Sequence, residues 1–486
     1  MNSRKLSAFV LLAALFIIGC GESAGENQPV NGTDVQATVP GNSAAQDETV
    51  NTDTPEVDQP ADASTNDPGQ EDVQHNSEAQ NTDEAQSVEV ASNEDEQSHE
   101  DSDRTSAISA RDQDPETGAN PVPETASADT EPVSAGETGW KLFRGDARST
   151  GVAHTELPED LEILWEYEVE KGAFFGTATI VEQDNVPTVF IADADGTVYA
   201  LNLESGEELW KTKCGFSFNT APAYRRSKLY LGDIDGKFVC LDARTGDELW
   251  SFEAMAEVGS SASFHQFNVI FGSHDTNLYA LNADTGEKVW ELPTADQIRC
   301  SATIVEDTAF VAGCDGHLHI IDLATGEETG SVDVGAPTGS TPAVLGDIAF
   351  AGTEGTGFFA INWKTAEELW HFMPDAGVGI RSSAAVTDQH VIFAAMNRSV
   401  YSLNPETQDL NWQIDLQSKT ESSPVIVGDR VYLGGQNGRF YGLDLEYGDI
   451  EFEMEFNGGF IGSPAAAFGR LVIATDRGVV YCLGEK

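Results

Sequence analysis

The segment Ala200-Leu-Asn-Leu-Glu-Ser-Gly-Glu-Glu-Leu-Trp210 sets the frame of the chain. The frame returns at Cys240–Trp250, Ala280–Trp290, Ile320–Gly330, Ala360–Trp370, Ser402–Trp412 and Gly442–Phe452, and an eighth copy begins at Cys482. A typical copy has a small residue, Asn or Asp two places on, a Thr/Ser-Gly turn and a closing Trp. Counted from Trp165 through the Trp slots, the steps are 45, 40, 40, 40, 40, 42 and 40 residues.

Working outward from the frame, each repeat reads as four short strands. The second shows them at Thr220–Tyr224, Lys228–Gly232, Lys237–Leu241 and Asp247–Phe252. Asp235-Gly236, Asp315-Gly316 and Asn437-Gly438 suit tight turns that need positive φ. A longer hairpin at Glu182–Pro187 accounts for the 45-residue step, and two extra residues in Met373–Ile380 for the 42-residue step. The first strand of each repeat opens on small residues, such as Ser260-Ser261-Ala262 and Ser422-Ser423-Pro424. Strands crowded round an axis need them. A period near 40 with four strands per unit predicts an all-β, eight-bladed β-propeller.

The ends carry matching deficits. Ile163–Val169 has the alternation and Trp of a fourth strand but no three strands before it. Ser463–Phe468, Arg470–Thr475 and Val479–Leu483 supply three strands with no fourth after them. Pairing the two ends should complete the last blade and remove exposed sheet edges, with the hub left empty.

Residues 139–486 are the predicted propeller; the rest reads differently. Arg4, Lys5 and the apolar run Leu6–Ile18 make a leader over residues 1–19, too short to span a bilayer. It ends in Ile17-Ile18-Gly19-Cys20. Residues 21–138 hold 29 acidic and two basic residues, with no Phe, Trp, Tyr, Leu, Met, Cys or Lys. Such a stretch buries too little apolar surface to offset its ordering entropy, so residues 20–138 are expected to be a disordered acidic tether. The other reading is an acidic arm for basic partners or divalent cations. The propeller carries 53 acidic against 22 basic residues. That balance argues against nucleic acid as a partner.

Two resemblances follow from these motifs. Ile17-Ile18-Gly19-Cys20 resembles the lipobox of bacterial lipoproteins, which implies cleavage before Cys20 and lipidation of its thiol. Gly21 after the Cys, rather than Asp, implies an outer-membrane destination. The repeated Ala-x-Asp-x-x-Thr-Gly-x-x-x-Trp frame, preceded by Trp140-Lys-Leu-Phe-Arg-Gly145, resembles the tryptophan-docking motif of PQQ-type eight-bladed propellers. In that family each Trp packs on a neighbouring motif's Gly, which gives Trp165, Trp210, Trp250, Trp290, Trp370 and Trp412 a structural role. Departures are Gly330 and Phe452 for Trp, and Ala366 and Gln408 for Gly.

The resemblance holds two functions. One is the PQQ-dependent dehydrogenases, with a quinone and calcium at the hub and often a disulfide of adjacent cysteines. This chain has no Cys-Cys pair and no long insertions between blades. The other is the BamB family of lipid-anchored barrel-assembly scaffolds, which use no cofactor. Compact blades and the lipobox suit that second function, so no catalytic residue, cofactor or metal is expected, and an envelope protein is the expected partner. In the usual winding, Asn219, Arg299, Arg381 and Glu421 fall near the channel mouth, where arginines can clamp a carboxylate or a carbonyl.

Five cysteines remain after Cys20. Cys300 and Cys314 flank a hairpin one residue out of register, which leaves a strained disulfide open. Cys240 and Cys482 are expected to be buried fillers. His317-x-His319 shares a strand face but lacks a third ligand in sequence.

Overall fold

The computed structural model describes residues 139–374 and 377–486. The expectations for the leader, Cys20 and the tether lie outside the described residues. Among the described residues there are eight sheets and no helices. Blade 1 comprises Thr179–Gln183, Val186–Ala192, Thr197–Asn202 and Glu208–Lys213. Blade 2 comprises Ala223–Arg225, Lys228–Gly232, Lys237–Asp242 and Glu248–Glu253, so its first strand is shorter and starts later than its apolar pattern implies. Thr220 and Ala221 lie on the hub wall instead; Thr220 Oγ1 donates to the Gly232 carbonyl of its own blade, while the Ala221 N–H and the Pro222 carbonyl bond to hydroxyls of the neighbouring blades. Ring closure is as expected: Glu162–Glu168 pairs antiparallel with Val479–Gly484, with Trp165 opposite Cys482, and completes blade 8.

Each frame forms for a local reason. The Asn202 side-chain oxygen accepts from the Glu204 and Ser205 N–H groups, and the Gly206 N–H bonds back to the Asn202 carbonyl. Gly206 therefore sits at φ +72°, as Gly246 and Gly286 do in their copies at +76° and +75°. Ala366 and Gln408 adopt this left-handed conformation without being glycine. Beside each bend, the outermost strand carries a bulge, at Leu209 in blade 1 and Leu249 in blade 2. A bulge disrupts the free edge that would otherwise template another strand.

The closing Trp of one blade reaches the turn of the next. Indole Nε1 of Trp165, Trp210, Trp250, Trp370 and Trp412 donates to the carbonyls of Leu203, Ala243, Ala283, Pro405 and Leu445. The turn glycines lie flat on these rings: a Cβ on Gly246 would stand 2.6 Å from Trp210 Cε3. Trp290 covers Gly326 in the same way, but its buried Nε1 has no partner among the described residues.

Blade 4 has Gly330 in the Trp slot, and blade 5 repairs the loss. Trp363, one place after the frame's Asn362, folds back so that its ring meets Phe310 edge-on at 5.3 Å, and its Nε1 donates to the Gly346 carbonyl. In the regular blades the equivalent second-strand aromatic meets its own blade's Trp, as Phe190 meets Trp210 at 5.8 Å. The missing indole also frees space over the next turn. A Cβ on Gly330 would lie 3.6 Å from Ala366 Cβ, so the turn has room for an Ala.

The hub is not empty at both ends, contrary to the sequence reading. The entry segment threads beneath the innermost strands. Trp140 bridges Ile180, the Lys141 carbonyl accepts from Tyr224, and the Ala147, Arg148, Thr150 and Gly151 carbonyls accept from Ile304, Val344, Val386 and Ile426. Val152–Ala153 then pairs parallel with Ile426 and Val427 as a fifth strand of blade 7. The physical reason is accounting: inner-strand N–H groups at a narrow hub need partners, and an extended strap supplies carbonyls to one blade after another.

Arg144 sits on this strap and is buried, with 1 % of its surface exposed. Its Nη2 donates to the carbonyls of Ala384 at 3.1 Å and Pro424 at 2.5 Å. At three other blade boundaries a hydroxyl on the preceding blade fills that role: Thr179 donates to Pro222, Ser263 to Ala302 and Thr303 to Pro342. The corresponding residues before Ala384 and Pro424 are Ala343 and Ala385, so the guanidinium stands in for two missing hydroxyls. Loss of hydration on burial pushes Arg144 down to about 9, partly offset by Asp146.

Candidate docking face and hub pocket

The fourth-to-first and second-to-third loops meet on one face. His274, Glu354 and Gln436 of the latter bond through their N–H groups to the carbonyls of Glu257, Pro337 and Lys419 of the former. At the centre of this face opens a pocket of about 170 Å³. Asn219, Arg299, Arg381 and Glu421 all line it, each at the same point of its repeat, and Phe143 of the strap contributes to its wall. The winding rule could place these four at the mouth. It could not show Phe143, because the strap lies outside the repeat.

The mouth carries two charged clusters. Asn219 Nδ2 donates to Glu257 at 3.5 Å, and Glu257 stands 3.4 Å from His274. Burial pushes His274 down to about 4, with Arg299 adding to the effect, and burial raises Glu257. Arg299 donates to Gln297 at 3.1 Å, while its buried Nε has no partner among the described residues. In the second cluster Arg381 lies 3.4 Å from both Glu354 and Glu421, and Gln436 also donates to Glu421. Phe216 and Met255, in adjacent fourth-to-first loops, are 64 % and 91 % exposed. Burying apolar area of this kind against a partner is worth about 25 cal/mol per Å².

Below the mouth lies a ring that the small-residue pattern hinted at without revealing its wiring. The N–H of Ala221 donates to Ser261 Oγ, that of Ser261 to Ser301, and so on through Thr341, Ser383, Ser423 and Ser463 to Thr177, all at 2.9–3.1 Å. Seven hydroxyls thus clasp eight blades. The ring breaks once, where the Thr177 position meets Ala221 instead of a hydroxyl. Ala221→Ser should close it and stabilise the propeller by about 1 kcal/mol, the usual net worth of one hydrogen bond. A denaturant midpoint that does not rise would count against the clasp.

Cys300 is a free thiol, so it is not bonded to Cys314. Its Sγ turns into its own blade, between the Ala312 N–H at 3.2 Å and carbonyl at 3.1 Å. Ser260 and Ser382 do the same with Gly272 and Ala394, so Cys300 acts as a serine surrogate. Burial pushes its thiol up to about 12. Cys240 and Cys482 are buried free thiols in the frame's small-residue slot.

His319 is held between two carboxylates. Its Nε2 lies 3.0 Å from Asp315 and its Nδ1 2.6 Å from Glu328. Burial alone would lower its pKa, but the two carboxylates outweigh burial and raise it. Stability from a raised His is full below its unfolded pKa and is lost as pH rises through the folded one. The melting temperature should therefore fall as pH rises above the ordinary histidine range. His319→Phe, which copies Phe359 at the same point of blade 5, should flatten that slope; an unchanged slope would refute the assignment.

The family model described as outer membrane protein assembly factor BamB matches residues 149–303 and 295–486. No curated protein sequence matches the chain. Among solved structures, BamB from Moraxella catarrhalis superposes with a TM-score of 0.56 at 19 % identity, covering 67 % of this chain and 98 % of its own. Quinohemoprotein alcohol dehydrogenase from Comamonas testosteroni gives 0.63 at 14 %, covering 74 % and 83 %. The computationally designed Ika8 protein gives 0.59 at 16 %, covering 67 % and 100 %. At such identities the likeness is one of fold alone.

Proposed function

Because the chain belongs to the family of the outer membrane protein assembly factor BamB, we propose that it is a non-catalytic scaffold of the cell envelope. In this reading it is anchored by lipid on Cys20, stands on the tether of residues 20–138, and docks an envelope protein on the face around the hub mouth. The partner of first choice is a subunit of the outer-membrane barrel-assembly machinery. The observation that carries the reading is that face. Exposed Phe216 and Met255 stand beside Asn219, with Arg299 and Arg381 set at the mouth of the pocket. Exposed apolar side chains beside positioned charges are what a recognition surface needs, affinity from the first and register from the second.

The competing reading is a quinone enzyme. The hub residues do not fit a bulky quinone with its cation. The pocket, at about 170 Å³, falls below the roughly 300–1,000 Å³ of ligand clefts. Among the described residues no group of three His, Cys, Asp or Glu side chains is placed to hold a metal ion. The strap lies at one end of the hub, with Phe143 in the pocket wall.

A photocrosslinking residue at Phe216 tests the scaffold in intact envelopes. It should trap a barrel-assembly subunit, while one on the far side of the ring, at Arg225, should not. Recovery of no envelope protein from Phe216 would overturn the docking face. Dye-linked turnover after adding PQQ and calcium would overturn the non-catalytic assignment.

A further inference from the structure

We propose that the hub pocket is a receptor for a carboxylate group, brought either by a small free acid or by the end of a docked polypeptide. The polypeptide source rests on the docking face proposed above; the chemistry of the pocket does not.

The argument starts with what each wall hydroxyl has left to offer. Ser261, Ser301, Thr341, Ser383, Ser423, Ser463 and Thr177 each accept a main-chain N–H from the preceding blade. Among the described residues none of the seven donates in turn. A hydroxyl carries one proton and two lone pairs. With a lone pair already engaged by the fold, the proton is the group each wall position can still direct toward a ligand. A ring of donors selects an acceptor, and a carboxylate is the strongest acceptor available to a protein or a small metabolite.

Charge agrees with this. Arg299 and Arg381 stand at the mouth, and among the described residues the buried Arg299 Nε has no partner. Past the ring, Arg144 holds the carbonyls of Ala384 and Pro424, the residues directly after Ser383 and Ser423. Its Nε and Nη1 are buried and have no partner among the described residues. Among the described residues one acidic side chain lines the pocket, Glu421 at the rim, and it is engaged by Arg381 and Gln436. Glu257 and Glu354 belong to the rim clusters as well. At the depth of the hydroxyl ring an anion would meet donors, in a domain whose net charge otherwise repels anions. The volume of about 170 Å³ admits a small acid or one terminal residue, not a folded loop.

The test is calorimetric titration of the full chain with acetate, and with a short N-acetylated alanine peptide ending in either a free carboxylate or a carboxamide. The acid peptide should bind at least tenfold more tightly than the amide. Ser423→Ala should weaken acid binding by about tenfold, the effect of losing one hydrogen bond to a charged group, and Ser423→Thr should restore it. Ala221 already occupies the ring without a hydroxyl, so an alanine there is compatible with folding; Ser301→Ala serves if Ser423→Ala melts early. Binding of acetate and acid peptide supports both sources. Binding of acetate alone keeps the receptor and removes the polypeptide source, whatever becomes of the docking face. Equal binding of acid and amide, no binding of either acid, or full binding by Ser423→Ala overturns the proposal.

Discussion

Trp210→Ala is expected to lower the unfolding free energy of the propeller by about 3 kcal/mol, within the range for truncating a large aromatic. The indole does three things at once. It donates to the Ala243 carbonyl, covers Gly246, and packs on Phe190 at 5.8 Å. Two of these contacts reach blade 2 from blade 1, so the loss falls on the joint between blades. Gly246→Ala attacks the same joint from the other side and should cost a comparable amount, since its Cβ has no room and its φ is +76°. The pair should be strongly non-additive in a double-mutant cycle, because either change alone opens the joint. Trp363→Ala should cost about 2 kcal/mol, as expected for a partly buried aromatic. Guanidinium unfolding followed by circular dichroism measures all three. Changes below about 0.5 kcal/mol, the level of ordinary surface substitutions, would mean that the Trp belt does not hold the ring.

Arg144→Ala should also cost about 3 kcal/mol, by a different route. It leaves two buried carbonyls, those of Ala384 and Pro424, without donors, at about 1–3 kcal/mol each. Against this, the folded state no longer carries a desolvated cation, whose burden is visible in the fall of its pKa to about 9. The discriminating experiment is a rescue. If Arg144 substitutes for two absent hydroxyls, then adding Ala343→Ser and Ala385→Ser to Arg144→Ala should recover about 2 kcal/mol, by copying Thr179, Ser263 and Thr303. Both serines would then donate across the blade boundary. No recovery would show that Arg144 serves the hub by its bulk or charge rather than by these two bonds.

Much of the architecture was legible because it is written in short-range chemistry. The Asn-x-x-Ser-Gly turn of residues 202–206 closes within five residues through Asn202, and the strands beside it alternate by sheet geometry. Repeating that unit at a fixed interval counts the blades. The unmatched strand around Trp165 and the three strands ending at Leu483 then specify closure, because an open ring would leave edges exposed. The four mouth residues followed from winding alone. None of this required knowing which side chain touches which.

What tertiary structure decided is everything that crosses the repeat. Arg144 meets carbonyls 240 and 280 residues away, and no local pattern encodes which inner positions lack a hydroxyl until the strap is laid against them. Trp363 fills a vacancy left by Gly330 in the preceding blade, a trade visible only once the blades are packed side by side. The hydroxyl clasp joins residues 40 or more apart, and it turns what reads as a run of small residues into a ring of hydroxyls that accept from the blade before. Cys300 went the same way, drawn to its own blade's Ala312 rather than to Cys314. Backbone chemistry along the chain thus sets the number and shape of the blades, whereas the contents of the hub depend on which blades' side chains the closed ring brings face to face.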